Sequence, residues 1–267
     1  MKICIAGATG WTGSCLSRTI LTGQAQGFEI SGALARAAAG RDLGEVLGLP
    51  PASVAITSNL SQALAGAEVL IDYTSPSSVK GHALAALEAG VSVVIGTSGL
   101  TAEDYAELER VALAQGRGVV AAGNFSITAA LAKHFALLAS DHIPHWEVLD
   151  YASGSKVDAP SGTTRELAEA LGDRNQNRLL RPIEEVIGPK EARGAQIGGT
   201  PVHSVRLPSY VVSFEALFGL PNERLTIRHD SGTGAEPYVG GTLLAAKRAL
   251  GLRGLIRGLD TLLFAEG

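Results

Sequence analysis

Cysteine is scarce in this chain of 267 residues: Cys4 and Cys15 are the only two. They fall in the first apolar run and in the helical pattern after it, so they make neither a disulfide framework nor a zinc site. No metal centre is expected. There is no apolar run of about 18 residues, so no membrane span or membrane partner is expected. The apolar start, Ile3 to Ala6, is too short for a secretory leader, and a reducing, cytoplasmic setting follows. Basic blocks are missing as well. The 22 Lys+Arg stand against 26 Asp+Glu, a net charge of −4, which argues against nucleic acid as a partner. What the chain does have is a 46% hydrophobic content with 18% charged residues, enough for a substantial core. Its 33 glycines signal many tight turns and close backbone approaches.

Taken in order, the first half alternates strand and helix patterns. Residues 2–6 read as a buried strand. A helix pattern from Ser14 to about Leu21 follows. Further strands are expected at 29–35, near 54–57, at 69–74, 92–95 and 118–122. Helices are expected near 60–64, from the Ser75-Pro76 cap to about Ala89, after Thr101, and over 127–140. Strand–helix alternation of this kind implies a doubly wound parallel sheet with right-handed crossovers, an α/β fold. Past residue 140 the pattern changes. A strand at 146–151 is followed by a helix and a polar excursion over 172–199. Three segments, 202–206, 210–218 and 223–229, then read as consecutive antiparallel strands, the last two flanking the turn signal Gly219-Leu220-Pro221-Asn222. A helix near 240–250 returns to the first domain. The expected organisation is a dinucleotide-binding domain of residues 1–125 plus 237–267, with an α+β domain of residues 126–236 inserted into it.

Two stretches carry chemistry. Gly7, Gly10 and Gly13 are spaced G-x-x-G-x-x-G between a strand and a helix, a variant of the dinucleotide fingerprint in the context that motif requires. In such a unit the second strand ends at the adenosine ribose. Here Ala35 offers no carboxylate for a 2′-hydroxyl, while Arg36 offers a fork of donors for a 2′-phosphate. NADPH is therefore the expected cofactor, with NADH as a second option. The loops around Tyr73-Thr74, Gly96-Thr97-Ser98 and Gly123-Asn124-Phe125 lie at strand carboxyl ends, where the nicotinamide half is expected. The other stretch is Lys156-Val157-Asp158-Ala159-Pro160-Ser161-Gly162-Thr163. It reads as a buried lysine-bearing loop running into a helix, with Pro160 in its first turn and Asp158 or Ser161 as its cap. A helix start with small residues and hydroxyls beside an ammonium suits a carboxylate or phosphate.

With these motifs in hand, the chain resembles the dihydrodipicolinate reductases along nearly its whole length. The run Lys156–Thr163 is the most specific match. Gly96-Thr97-Ser98-Gly99, Asn124-Phe125-Ser126, His203-Ser204-Val205-Arg206 and Ile227-Arg228-His229-Asp230 agree in order. The resemblance implies an NAD(P)H-dependent reductase that transfers hydride to a cyclic unsaturated dicarboxylate in lysine and diaminopimelate biosynthesis. It also implies a second domain that binds substrate and whose sheet builds a homotetramer. By resemblance, Gly7, Ala8, Thr9, Gly10, Trp11, Thr12, Arg36, Gly96, Thr97, Ser98, Ala122, Gly123, Asn124 and Phe125 hold the cofactor. Gly162 and Thr163 bind a substrate carboxylate, Lys156 pairs with a carboxylate or assists proton delivery, and Ser153 is a further substrate-binding candidate. The chain departs from the family at its paired histidines, where Ala152 and Ser153 stand. Alanine cannot donate a proton, so an altered or lowered activity is expected. The alternatives are a reductase of the same fold acting on a different small substrate, and a nucleotide-binding homologue without catalysis.

Overall fold

The computed structural model describes residues 1–264. The chain divides into two compact units: Met1–Ile127 with the segment from Ala235 onward, and Thr128–Gly234. The first holds strands β1 (Lys2–Ala6), β2 (Glu29–Leu34), β3 (Ile56–Thr57), β4 (Val69–Asp72), β5 (Ser92–Ile95) and β6 (Gly118–Ala121). Its helices up to that point are α1 (Trp11–Leu21), α2 (Leu43–Val46), α3 (Leu60–Ala63), α4 (Pro76–Glu88) and α5 (Ala102–Gln115). The second unit contributes β7 (Trp146–Ala152), β8 (Ala195–Ile197), β9 (Thr200–Arg206), β10 (Val212–Leu220) and β11 (Glu223–Ser231), with α7 (Gly162–Arg174). Helix α6 (Ile127–Ser140) begins at the last residue of the first unit. The chain then returns to the first unit through α8 (Glu236–Gly251), β12 (Gly254–Arg257) and α9 (Leu259–Phe264).

The first sheet runs β12-β6-β5-β4-β1-β2-β3 with every pairing parallel. This is the expected doubly wound sheet. β4, β5 and β6 are buried at every residue, which is why Val-Leu-Ile-Asp, Ser-Val-Val-Ile and Gly-Val-Val-Ala read as continuous rather than alternating runs. Strand order reverses between β1 and β4, so the loops after these two strands flank the crevice where such sheets bind ligands. Several helices start where the sequence places caps. Thr101 forms a reciprocal capping box with Asp104, the Thr101 hydroxyl accepting from the Asp104 N–H and the Asp104 carboxylate accepting from the Thr101 N–H. The helix expected from Ser14 begins three residues earlier, at Trp11. β12, α9 and the four-residue α2 are too short to have stood out in the pattern.

The second sheet corrects one expectation. Its order is β11-β10-β7-β9-β8. β10 and β11 form the expected antiparallel hairpin, turning at Pro221-Asn222 with Asn222 at φ +64°. β9, however, does not lie beside β10. It pairs parallel with β7, Val148 opposite Val202 and Ala152 opposite Arg206. The reason is the connection: α7 lies between β7 and β9, and a helical crossover returns the chain in the same direction. β7 alternates strictly, with Trp146, Val148, Asp150 and Ala152 buried and the residues between them half-buried. That inner face packs with Ala132 and Ala136 of α6, Leu167 and Leu171 of α7, and Phe214 and Phe218 of β10. Asp150 is thus a carboxylate on a core-facing strand face.

Candidate functional site

The glycine turn is shaped by close approach. Gly7 sits at φ +81°, where a Cβ would lie 2.5 Å from the Tyr73 carbonyl oxygen. At Gly13 a Cβ would meet the Gly7 carbonyl oxygen at 2.1 Å, so only glycine lets α1 pack on the turn. Gly10 caps α1 without a side-chain hydrogen bond. The first-turn N–H groups have no intrahelical acceptors and sit at the positive end of the helix dipole, an arrangement that favours an anion. Trp11 is 60% exposed and packs edge-on against Tyr238 at 5.7 Å. These features fit a pyrophosphate at the turn.

Arg36 lies two residues past the end of β2 and is exposed. With Gly7, Thr9 and Gly10 it lines a cavity of about 400 Å³, which Tyr73, Thr74, Ser75, Ser78 and His82 close from the β4 side. In the sequence Ser75 and Ser78 stand out only as part of a helix cap, and His82 not at all. The residue that organises them is equally silent there. Asp72, at the end of β4, is fully buried. It accepts from the Thr74 N–H (2.9 Å) and hydroxyl (2.6 Å), and from the Thr97 hydroxyl (3.1 Å). His82 Nδ1 lies 2.7 Å from its other oxygen. One carboxylate therefore ties the loops after β4 and β5 to α4. Asp72→Asn keeps the shape and an oxygen for the Thr74 and Thr97 donors but loses the buried charge, and its NH2 faces His82 Nδ1, which must change tautomer to accept. It is expected to lower the unfolding free energy by about 2–4 kcal/mol, measured by urea titration.

The remaining cofactor candidates sit on those loops and on the one after β6. A Cβ at Gly96 would strike the Tyr73 ring at 2.1 Å, so this glycine lets the ring lie against the backbone. Tyr73 hydrogen-bonds Thr242 of α8 at 2.5 Å. Burial holds its phenol well above the usual range, which makes it a structural neutral group. Ser98 and Gly123 are exposed, Ala122 and Phe125 are buried, and Asn124 Oδ1 accepts from the Ser126 N–H at 2.8 Å. The Phe125 ring packs edge-on to Tyr73, so only its backbone is available to a ligand.

In the second unit the Lys156 run folds as a loop and then α7. Ser161 is the cap, its hydroxyl accepting from the Thr164 N–H at 3.4 Å. Pro160 therefore precedes the cap rather than occupying the first turn, because the helix begins at Gly162. Asp158 does not cap. It pairs with Lys156 at 2.7 Å, and this hydrogen bond holds its carboxyl below the usual range. The Lys156 side chain is 31% exposed, not buried as expected. Gly162 is exposed, and a Cβ there would meet nothing within 4 Å, so packing does not demand a glycine. Thr163 is half-buried beside it. Ser153 is half-buried and hydrogen-bonds Ser155 at 3.0 Å. Ala152 is fully buried, its methyl facing the core. Asp150 and Arg206, an ion pair at 2.6 Å behind the α7 cap, were not anticipated. In the strand Trp146–Ala152, Asp150 is the acid on the face shared with Trp146, Val148 and Ala152, whereas Glu147 falls on the other, and that phase was the signal that could have found the first of them.

Comparison with known proteins agrees over the whole chain. The family model for the N-terminal part of dihydrodipicolinate reductase matches residues 1–125, and that for its C-terminal part matches residues 124–263. The 4-hydroxy-tetrahydrodipicolinate reductase of Moorella thermoacetica is 40% identical over 268 residues, covering 98% of each chain. That of Desulfitobacterium hafniense is 35% identical over 266 residues, again with 98% of each covered. Among solved structures, the dipicolinate-bound dihydrodipicolinate reductase from Paenisporosarcina sp. TG-14 superposes with a TM-score of 0.85 at 29% identity, covering 98% of this chain and 99% of that one. Matched from end to end by these models and relatives, the chain belongs to the dihydrodipicolinate reductase family.

Proposed function

We propose that the protein is an NADPH-dependent reductase of the 4-hydroxy-tetrahydrodipicolinate type, serving lysine and diaminopimelate biosynthesis in the cytoplasm. The observation that carries this reading is the presence of two built sites in one chain. The glycine turn shares a cavity with Arg36, and the α7 N-terminus adjoins the Lys156 loop. Backbone N–H groups from Gly7 to Thr12 hold the pyrophosphate, and Arg36 takes the 2′-phosphate. The loops Gly96–Ser98 and Ala122–Phe125 receive the nicotinamide half. NADPH supplies the hydride when bound.

The rest falls to the side chains of the second unit. Gly162 and Thr163 hold one substrate carboxylate through N–H and hydroxyl donors, and Ser153 adds a hydroxyl. Lys156 Nζ neutralises a carboxylate and delivers the proton that balances hydride addition across the double bond. Ala152 has nothing to donate, so this duty passes to the lysine. The free, unbridged Cys4 and Cys15 suit a reducing compartment. The sheet face opposite α6 and α7 presents Leu149, Tyr151, Val205 and Leu217 among the ion pairs Glu147–Arg193 and Glu215–Arg228. We assign that face to a homotetramer.

The test mixes purified protein, NADPH and the condensation product of pyruvate with aspartate semialdehyde, and follows NADPH absorbance. Substrate-dependent oxidation is expected. Tight NADPH binding with no oxidation would instead support a same-fold reductase with another small substrate, the reading that Ala152 and Ser153 favour. Neither binding nor oxidation would reject both.

A further inference from the structure

A carboxylate on the buried face of β7 needs a reason. Apolar neighbours Val148 and Ala152 occupy the adjacent inward positions, and Asp150 itself is fully buried. An apolar side chain would fill this place as well, since replacing buried ionic groups by hydrophobic ones is often neutral or stabilising. Asp150 is instead met by five hydrogen bonds. Two come from Ser161, through its N–H (3.0 Å) and hydroxyl (2.6 Å), and one from the Thr164 hydroxyl (2.8 Å). Two more come from β9, through the Ser204 hydroxyl (3.2 Å) and Arg206 Nη2 (2.6 Å). Burial alone would raise its pKa, yet the bonds from Ser161, Arg206 and Thr164 hold it below the usual carboxylate range.

Both sets of donors lead to groups already placed in the carboxylate site. Ser161 immediately precedes Gly162 and Thr163, so fixing its N–H and hydroxyl fixes the direction of the next two backbone N–H groups. Arg206 Nη2 bridges the Asp150 carboxylate and the Asp158 carbonyl (2.8 Å). Asp158 in turn holds Lys156 Nζ at 2.7 Å. The chain of contacts runs without a break from the ammonium, through Asp158 and Arg206, to Asp150 and back to the start of α7. Arg206 Nε is buried with no acceptor among the described residues. The fold carries that penalty to keep a guanidinium here, whose Nη2 meets both oxygens while Nη1 donates to the Val205 carbonyl.

We propose that Asp150 is the positioning residue of the substrate-carboxylate site, orienting Gly162 and Thr163 directly and the Lys156 loop through Arg206. The inference rests on the reductase reading above. An anchor for carboxylate donors acts on ground state and transition state alike, so its loss appears in KM more than in kcat. Asp150→Asn is expected to raise KM for substrate about tenfold or more, and the Kd for dipicolinate in parallel, with kcat within about threefold. NADPH affinity, read in the same preparation, is expected to stay within about twofold. A lower Tm with KM and dipicolinate Kd unchanged would mean a purely structural role and overturn the proposal.

Arg206→Lys covers the case in which the first variant does not fold. It keeps the charge, but lysine is shorter and lacks the second nitrogen that the Val205 carbonyl holds, so its ammonium does not sit where Nη2 meets Asp150 and the Asp158 carbonyl. A rise in dipicolinate Kd of about fivefold is expected, and an unchanged Kd overturns the proposal. Wild-type protein that neither binds dipicolinate nor oxidises NADPH would sink the reductase reading and this inference with it. Active wild type with an unaltered Asp150→Asn KM would sink this inference alone.

Discussion

Replacing Lys156 with methionine is expected to lower kcat/KM by about 10²–10⁴-fold, the range that a positioned general acid contributes. The expectation follows from where the ammonium is held. Its ion-pair partner, Asp158, is 43% exposed, and Lys156 itself is 31% exposed. A pair this open is worth about 0–1 kcal/mol to the fold, so the substitution should leave Tm nearly unchanged. A large kinetic effect with a small thermal one places Lys156 in the chemistry and not in the scaffold. The kinetic parameters separate its two possible duties. Loss of carboxylate pairing raises KM, whereas loss of proton delivery lowers kcat. Lys156→Arg sharpens the distinction, because arginine keeps the charge but does not release its proton near neutrality. A Lys156→Arg enzyme with wild-type kcat would end the proton-delivery role and leave pairing as the function of the charge.

The sequence made the local features readable and left the long-range ones hidden. The Gly7–Gly13 spacing announced a turn whose backbone approaches other backbone, and the Tyr73 and Gly7 carbonyl oxygens are what it approaches. Helix α6 has the limits its apolar run suggested, because periodicity is a property of neighbouring residues. The direction of β9 was not readable, since alternation says that a segment is a strand but not which strand it joins. Asp72 and Asp150 escaped for the same reason. Each is the one acid on the buried face of its strand, and its meaning lies in partners distant along the chain, Thr97 for the first and Arg206 for the second. Lys156, expected buried, stands 31% exposed, and Val157 beside it points out to solvent, because burial of a loop depends on what packs over it and not on its own residues.

Arg36→Ala is expected to weaken NADPH binding by about 10–100-fold while changing NADH binding by no more than about twofold. The cavity gives the reason. β2 ends at Leu34, and Ala35 and Arg36 follow on the wall that faces the glycine turn. Ala35 presents no acceptor for a ribose 2′-hydroxyl, so NADH gains nothing here that a mutation could remove. A 2′-phosphate would find the guanidinium fork of Arg36, and charge-assisted bonds of that kind contribute about 1.5–3 kcal/mol, the origin of the predicted range. Because Arg36 is exposed, the discrimination should also shrink as ionic strength rises. Fluorescence titration with both nucleotides at low and high salt measures all of this at once. Equal weakening of NADPH and NADH would move Arg36 to the pyrophosphate, and no weakening of either would make it a solvated side chain. A selective, salt-sensitive loss of NADPH affinity would tie the cofactor choice to one residue two positions past a strand end.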